Sequence, residues 1–238
     1  MKPDSKAGFT IIETMLFLGI TGLLIMGVLA GTGTSINIQR YRDSITSLQA
    51  FFQQQYSDVS NVSNDSLSNA CYGDGSTDNP RGQSDCVILG RYITTTNDNH
   101  ILSVKSVIGS IPADSSGATN DLMSLQQYRL QVSPIAANNY EIEWGSSAVM
   151  PGSDTPASFS VLIVRSPLSG ILRTFIDPTK TVIDSNVATL VSQTALEQSA
   201  KVCVNSNGLF AGNKMAVLIN AATTSASGIE TLGGDSGC

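Results

Sequence analysis

From Phe9 to Gln39 the chain is one apolar run broken mainly by small residues, and Glu13 is its only formally charged side chain. About 20 apolar residues cross a bilayer as an α-helix, so this run predicts a membrane span. Past Ile36 the spacing changes: Ile38, Tyr41, Ile45, Leu48 and Phe52 follow three and four apart, with Val59 one heptad after Phe52. That is a single apolar stripe on an amphipathic helix. Arg40, Arg42, Asp43, Gln49, Gln53 and Asp58 fall between these positions and are expected to face solvent. One helix from about Thr10 to Asp58 is therefore predicted, its first half in lipid or a filament core and its second half packed on a globular domain. Gly19, Gly22, Gly27, Gly31 and Gly33 lie inside it, and each is unfavourable by about 1 kcal/mol against alanine. Gly27 and Gly31 form a GxxxG pair that lets helices approach closely in lipid. The Gly31–Gly33 step is also a place for the helix to loosen.

After a stretch rich in Asn, Ser, Asp and Gly from Ser60 to Ser84, short β-like runs follow. They are CVILGRYIT from Cys86, ILSVKSVI from Ile101, YRLQV from Tyr128, YEIEW from Tyr140, FSVLIVR from Phe159, ILRTFI from Ile171, KVCV from Lys201 and KMAVLI from Lys214. Runs this short, bounded by Gly, Pro, Asn and Asp, predict a mostly antiparallel sheet. Strict alternation in YEIEW puts Glu141 and Glu143 on one face, with Tyr140, Ile142 and Trp144 on the other, against the core. DLMSLQQ and VATLVSQTALEQ are expected to be short helices, and the tail after Lys214 is a loose Ala, Thr, Ser and Gly segment ending on Cys238. The fold class is α+β, a long N-terminal α-helix packed on a mostly antiparallel β-sheet head. The 238 residues supply one sizeable soluble core besides the anchor.

A lone carboxylate inside a membrane-length run costs about 2.5 to 3.5 kcal/mol on insertion scales, so Glu13 asks for a partner. A secretory signal closes its apolar core with a small-residue cleavage site. Here no such site follows at Ala30, and the polar lead-in carrying Lys2, Asp4 and Lys6 breaks at Gly8 instead. The segment GFTIIETMLF resembles the prepilin cleavage motif of the type IV pilin and type II secretion pseudopilin superfamily, over roughly the first 30 to 60 residues. The resemblance implies that a prepilin peptidase cuts after Gly8, that Phe9 becomes the N-methylated terminus, and that Glu13 is the assembly glutamate. The new amine on Phe9 cannot be left unpaired in an apolar environment any more than the carboxylate can. The Phe9 amine of an incoming subunit would pair with Glu13 of one already assembled, a head-to-tail contact that does not close. Many pilins carry a proline where this chain has Ala30, so any local melting here would rest on the glycines.

The reading divides the chain into a leader at 1–8, an anchor and assembly helix at 9–59 and an extracytoplasmic head at 60–238. Lys2 and Lys6, just before the span, favour a cytoplasmic N-terminus, which sends the head outward. The expected product is a single-pass inner-membrane precursor, then a subunit of an extracellular or periplasmic filament, of minor pilin or pseudopilin type. Its expected partners are the prepilin peptidase, other pilin or pseudopilin subunits, an inner-membrane assembly platform and the lipid bilayer. A filament-tip adhesin and a monomeric membrane-anchored binding protein are the competing classes. Four cysteines, Cys71, Cys86, Cys203 and Cys238, lie outside the anchor. An even count in an exported chain suggests two disulfides with three connectivities, of which the local pairing of Cys71 with Cys86 and Cys203 with Cys238 is favoured.

Chemistry is sparse elsewhere. Glu141 and Glu143 lie at strand spacing on a solvent face rather than as a catalytic pair, and His100 in NDNHI reads as a surface turn with no nucleophile joined to it. No catalytic residue, metal or cofactor is expected, and the chain does not read as an enzyme. Between Cys71 and Cys86, Asp74, Ser76, Asp78 and Asp85 sit at positions reminiscent of a calcium loop. Asn79 replaces the required glycine and Gly82 offers no side chain, which favours a disulfide-closed polar loop. A net charge of -6 gives no basic footprint for nucleic acid. After Ser166 only Arg173, Lys180, Lys201 and Lys214 stand against Asp177, Asp184, Glu197, Glu230 and Asp235. Binding would require folding to gather distant cations such as Arg81, Arg91, Lys105 and Arg129 onto one face.

Overall fold

A helix of 50 residues, α1 (Ile11–Ser60), carries the molecule. The structure, a computed structural model, describes residues 8–61, 87–110, 117–133, 137–179, 184–192, 198–220 and 223–238. The helix starts at Thr10, whose side chain caps it, and runs unbroken through Gly31 and Gly33 to Ser60. The loosening anticipated at those glycines is absent. Nothing lies within van der Waals reach of a Cβ at either position, so the helical hydrogen bonds there meet no steric competitor.

The head is built from β1 (Val87–Thr95), β2 (Ile101–Gly109), α2 (Asp121–Gln127), β3 (Gln131–Val132), β4 (Asn138–Glu141), β5 (Ser147–Val149), β6 (Ser160–Arg165), β7 (Leu172–Asp177), α3 (Ala188–Ser192), β8 (Ala200–Asn205), β9 (Met215–Ile219) and β10 (Ile229–Leu232). One sheet has the order β3-β2-β1-β6-β7, with β4 also pairing β2; the other runs β10-β9-β8-β5. Among the described residues all strand pairings are antiparallel. The α+β class with a long N-terminal helix and antiparallel sheets is the architecture observed.

Period-2 alternation sorts the strand residues into layers. Ile93, Val161, Ile163 and Ile176 of the first sheet meet Val202, Val204, Val217 and Ile219 of the second across Tyr41, Ile45, Leu48, Phe52, Tyr56 and Val59 of α1. Their alternates, Tyr92, Leu162, Val164 and Phe175, turn to the other face, where Leu125 of α2 and Leu190 and Val191 of α3 cover them. The second half of α1 is thus the centre of the head's main core. At Gly90, where β1 is bulged against β2, a Cβ would overlap the Ile163 carbonyl oxygen, so the close approach of β1 to β6 requires glycine.

Three sequence expectations are corrected. YEIEW is not one strand: β4 stops at Glu141, a 3-10 turn spans Glu143–Gly145, and Trp144 stands 50% exposed rather than in the core. Trp144 and Gly145 are consecutive left-handed residues, at φ 58° and 67°, and they reverse the chain just after Ile142 is buried. YRLQV contracts to the two residues of β3. The tail after Lys214 is not loose throughout, because β10 pairs with β9 from Ile229 to Leu232, and β5 adds a strand at Ser147–Val149 that the pattern did not announce. DLMSLQQ is a helix over its full length, and the second proposed helix is seen at Ala188–Ser192. The Cys71–Cys86 pair, Arg81 and the loop carrying Asp74, Ser76, Asp78 and Asp85 lie outside the described residues.

Candidate functional site

The first half of α1 extends away from the head with its apolar side chains bare. Phe9 is 85% exposed, Ile12 79% and Leu23 73%, and every other large apolar residue from Ile11 to Ile36 is exposed as well. Exposed apolar surface on this scale needs another apolar phase or a partner. From Ile11 to Ile36 the helix rises about 38 Å at 1.5 Å per residue, more than the roughly 30 Å of bilayer hydrocarbon. Among the described residues this is one helix long and apolar enough to cross a membrane, and it lies near the N-terminus. Gly19, Gly22, Gly27 and Gly31 all face open space, so the GxxxG pair is accessible to a second helix.

Glu13 sits at the start of this helix in a capping box. The Thr10 side-chain oxygen accepts from the Glu13 backbone N–H at 3.3 Å, while a Glu13 carboxylate oxygen accepts from the Thr10 backbone N–H at 3.2 Å and lies 3.3 Å from the Thr10 hydroxyl. A carboxylate in the first turn also answers the positive end of the helix dipole. Two of the orphan donors at the helix start are thereby satisfied. Thr-x-x-Glu before an apolar run is the sequence signature of this cap, and it lies inside the GFTIIETMLF segment. Gly8 and Phe9 precede the cap and are exposed.

Where the anchor enters the head, a descending segment fastens it. Phe51 stacks on Tyr140 at 4.2 Å between centroids. Ser47 Oγ accepts from the Tyr140 hydroxyl at 3.1 Å and donates to Glu143 Oε1 at 2.9 Å. Ser44 Oγ donates to Ser146 Oγ at 3.1 Å, and the Arg40 guanidinium lies 5.0 Å from the centre of the Trp144 ring. The turn at Trp144 thus sits beside the part of α1 where exposure gives way to burial. The loop from β8 to β9 closes the same end: Asn207 Nδ2 donates to the Gly145 carbonyl at 2.7 Å, and Phe210 stacks on Tyr41.

The remaining candidates are dispersed. Glu141 is exposed at the end of β4, whereas Glu143 lies in the turn that follows and accepts from Ser47. His100 lies in the turn between β1 and β2, with Nδ1 2.7 Å from the Ser146 carbonyl oxygen, where it braces that turn against the Trp144 reversal. Among the described residues no cluster of His, Cys, Asp and Glu has the geometry to hold a metal. Arg91 and Lys105 are not gathered together: Arg91 donates to Ser106, while Lys105 pairs with Asp184. Asp121, held below the usual carboxylate range mainly by hydrogen bonds from Ser166 and Ser169, anchors α2 to the loop after β6. Lys214 pairs with Asp154 at 2.6 Å. A cleft of about 490 Å³ at the far end of the head is lined by Val87, Arg91, Tyr128, Arg165 and Leu168 among others, and both of its arginines are engaged, Arg165 with the Gly170 carbonyl.

Cys203 and Cys238 form a disulfide with Cα atoms 5.7 Å apart. With Val149, Ala216 and Leu232 they make a small cluster on the outer face of the second sheet. Lys201 Nζ donates to the Ser236 carbonyl and Ser236 Oγ donates to that of Lys214, so the C-terminal segment is laced onto β8 and β9. Comparison with known proteins returns no matching family model, no matching curated protein and no matching solved structure.

Proposed function

We propose that the chain is a filament subunit of the type IV pilin or pseudopilin kind, matured at Gly8–Phe9 and assembled through α1. The observation that carries this reading is the placement of Glu13, the lone charge of a bare, membrane-length helix, one turn inside its start. The order of Gly8, Phe9, Thr10, Ile11, Ile12 and Glu13 supports it. Cleavage after Gly8 would place a cationic amine on Phe9, and in a low-dielectric bundle that amine and the Glu13 carboxylate attract strongly. The capping box gives Glu13 a resting partner in the isolated chain, and a neighbour's amine is a stronger one because both groups are then charged. The exposed glycines admit the close helix approach that a bundle of such anchors needs. The head carries no reaction in this reading; it is the part displayed along or at the end of the filament.

The test has two arms. Intact-mass analysis of the native protein should find a chain beginning at Phe9, N-methylated; a mature terminus at Met1 or beyond Ala30 sinks the reading. Glu13→Val should still insert in the membrane while losing incorporation into filaments and co-purification of sibling subunits. Normal assembly by that variant removes Glu13 from the role given to it here.

A further inference from the structure

Trp144 is the chain's only tryptophan, and it is held half-exposed at a positive φ that a bulky side chain seldom adopts. Such a conformation persists only where surrounding structure imposes it. Here the imposing contacts are the flanking bonds of Glu143 to Ser47, Ser146 to Ser44 and Asn207 to the Gly145 carbonyl. They push the indole out on the anchor side of the head, beside Arg40. The height of that point follows from the helix. From Phe9 to Arg40 the rise is about 46 Å at 1.5 Å per residue, or about 44 Å at the roughly 20° tilt common for membrane helices. A bilayer with its headgroups is about 40 to 45 Å thick. With Phe9 at one face of the membrane, Arg40 and Trp144 therefore arrive at the headgroup layer of the other.

We propose that, before assembly, Trp144 and Arg40 rest in the headgroup layer of the leaflet on the head's side, fixing the depth and orientation of the head on the lipid surface. The inference rests on α1 spanning the bilayer. An indole is suited to this layer because its ring is apolar and its N–H is a donor, which is why tryptophan collects at membrane interfaces. Arg40 contributes a guanidinium that bonds lipid phosphate while its other face covers the indole. Arg42, Asp43 and Glu143 are exposed near the same level, and with Arg40 the two arginines and two carboxylates sum to no net charge. The contact is thus one of depth and amphipathicity, and it does not demand an acidic membrane.

Because Trp144 is the sole indole, the full-length protein reports on itself. The chain would be reconstituted in phosphatidylcholine vesicles bearing a spin label either near the glycerol backbone or deep in the acyl chain, with flotation after alkaline carbonate washing as the control for a spanning helix. The expected result is at least twofold stronger quenching of Trp144 fluorescence by the shallow label than by the deep one, falling in Arg40→Gln with the circular dichroism unchanged. Quenching by neither label, with Trp144 as open to iodide as a free tryptophan analogue, overturns the proposal while leaving a floating chain's anchor intact. Shielding that grows with protein-to-lipid ratio also overturns it, assigning the indole to a second copy of the chain. A chain that fails to float overturns both this proposal and the spanning helix beneath it.

Discussion

Tyr41 and Met215 are joined through one phenolic oxygen: the Tyr41 hydroxyl accepts from the Met215 backbone N–H and donates to the Val204 carbonyl oxygen, both at 2.7 Å. Tyr41 is 1% exposed, and it stands where α1 passes from bare surface into the head. The hydroxyl therefore completes the ladder end of β8 and β9 and locks the helix to it.

Tyr41→Phe keeps the ring and its stacking on Phe210 but strands a backbone N–H and a carbonyl. Leaving a buried polar group unsatisfied costs about 1 to 3 kcal/mol. Chemical denaturation of the variant should show a loss in that range with an unchanged slope in denaturant, and a loss below a few tenths would mean that water replaces the hydroxyl.

Removing the Cys203–Cys238 bond should loosen the C-terminal segment before the rest. The linked positions are 35 residues apart, and a loop of that size is worth about 3 to 4 kcal/mol in the chain-entropy account. Cys238→Ser, read by thermal melting and by hydrogen exchange at Ile229–Leu232, should lower the melting temperature and lose protection there first. Peptide mapping without reduction should also recover Cys71 linked to Cys86; a Cys71 to Cys203 peptide contradicts both pairings.

Alkaline stability should be set by buried tyrosines. Burial pushes Tyr56 up, partly offset by its bond to Thr174, and raises Tyr41 and Tyr140 in the same direction. A group whose folded pKa lies above its unfolded value holds its proton more tightly when folded, so its contribution is fully present below the unfolded pKa, about 10 for tyrosine. As pH rises beyond that, the unfolded state loses protons first and stability falls. Unfolding free energies measured from pH 9 to pH 12 should decline beyond about pH 10, by up to about 1.4 kcal/mol per pH unit for each such tyrosine. Tyr56→Phe should shallow that decline, and a flat profile through pH 12 would contradict the assignment.

Duplex DNA should not be retained by the detergent-solubilised full chain at about 0.15 M salt. Phosphate contacts need several cations on one surface, and Lys105 and Lys214 are already paired with Asp184 and Asp154. A salt-sensitive gel shift at micromolar protein would show that a basic face exists after all.

What the residue pattern determined by itself was everything that local periodicity can carry. The helix from Thr10 onward, its stripe from Tyr41 to Val59 and strands β1, β2, β6, β7, β8 and β9 are legible because each repeats its apolar positions over several turns or pleats, and the capping spacing of Thr10 and Glu13 was present to be read. Tertiary structure alone decided the rest. β5 and β10 are short and weakly apolar, and they exist because β8 and β9 offer unpaired edges to Ser147–Val149 and Ile229–Leu232. Tyr140 to Trp144 alternates like a strand, yet Trp144 is turned outward, because Ser44, Ser47 and Asn207, distant in sequence, hold the residues around it in a reversal. Periodicity reports which side chains share a face; only the partners brought from elsewhere in the chain settle where that face ends.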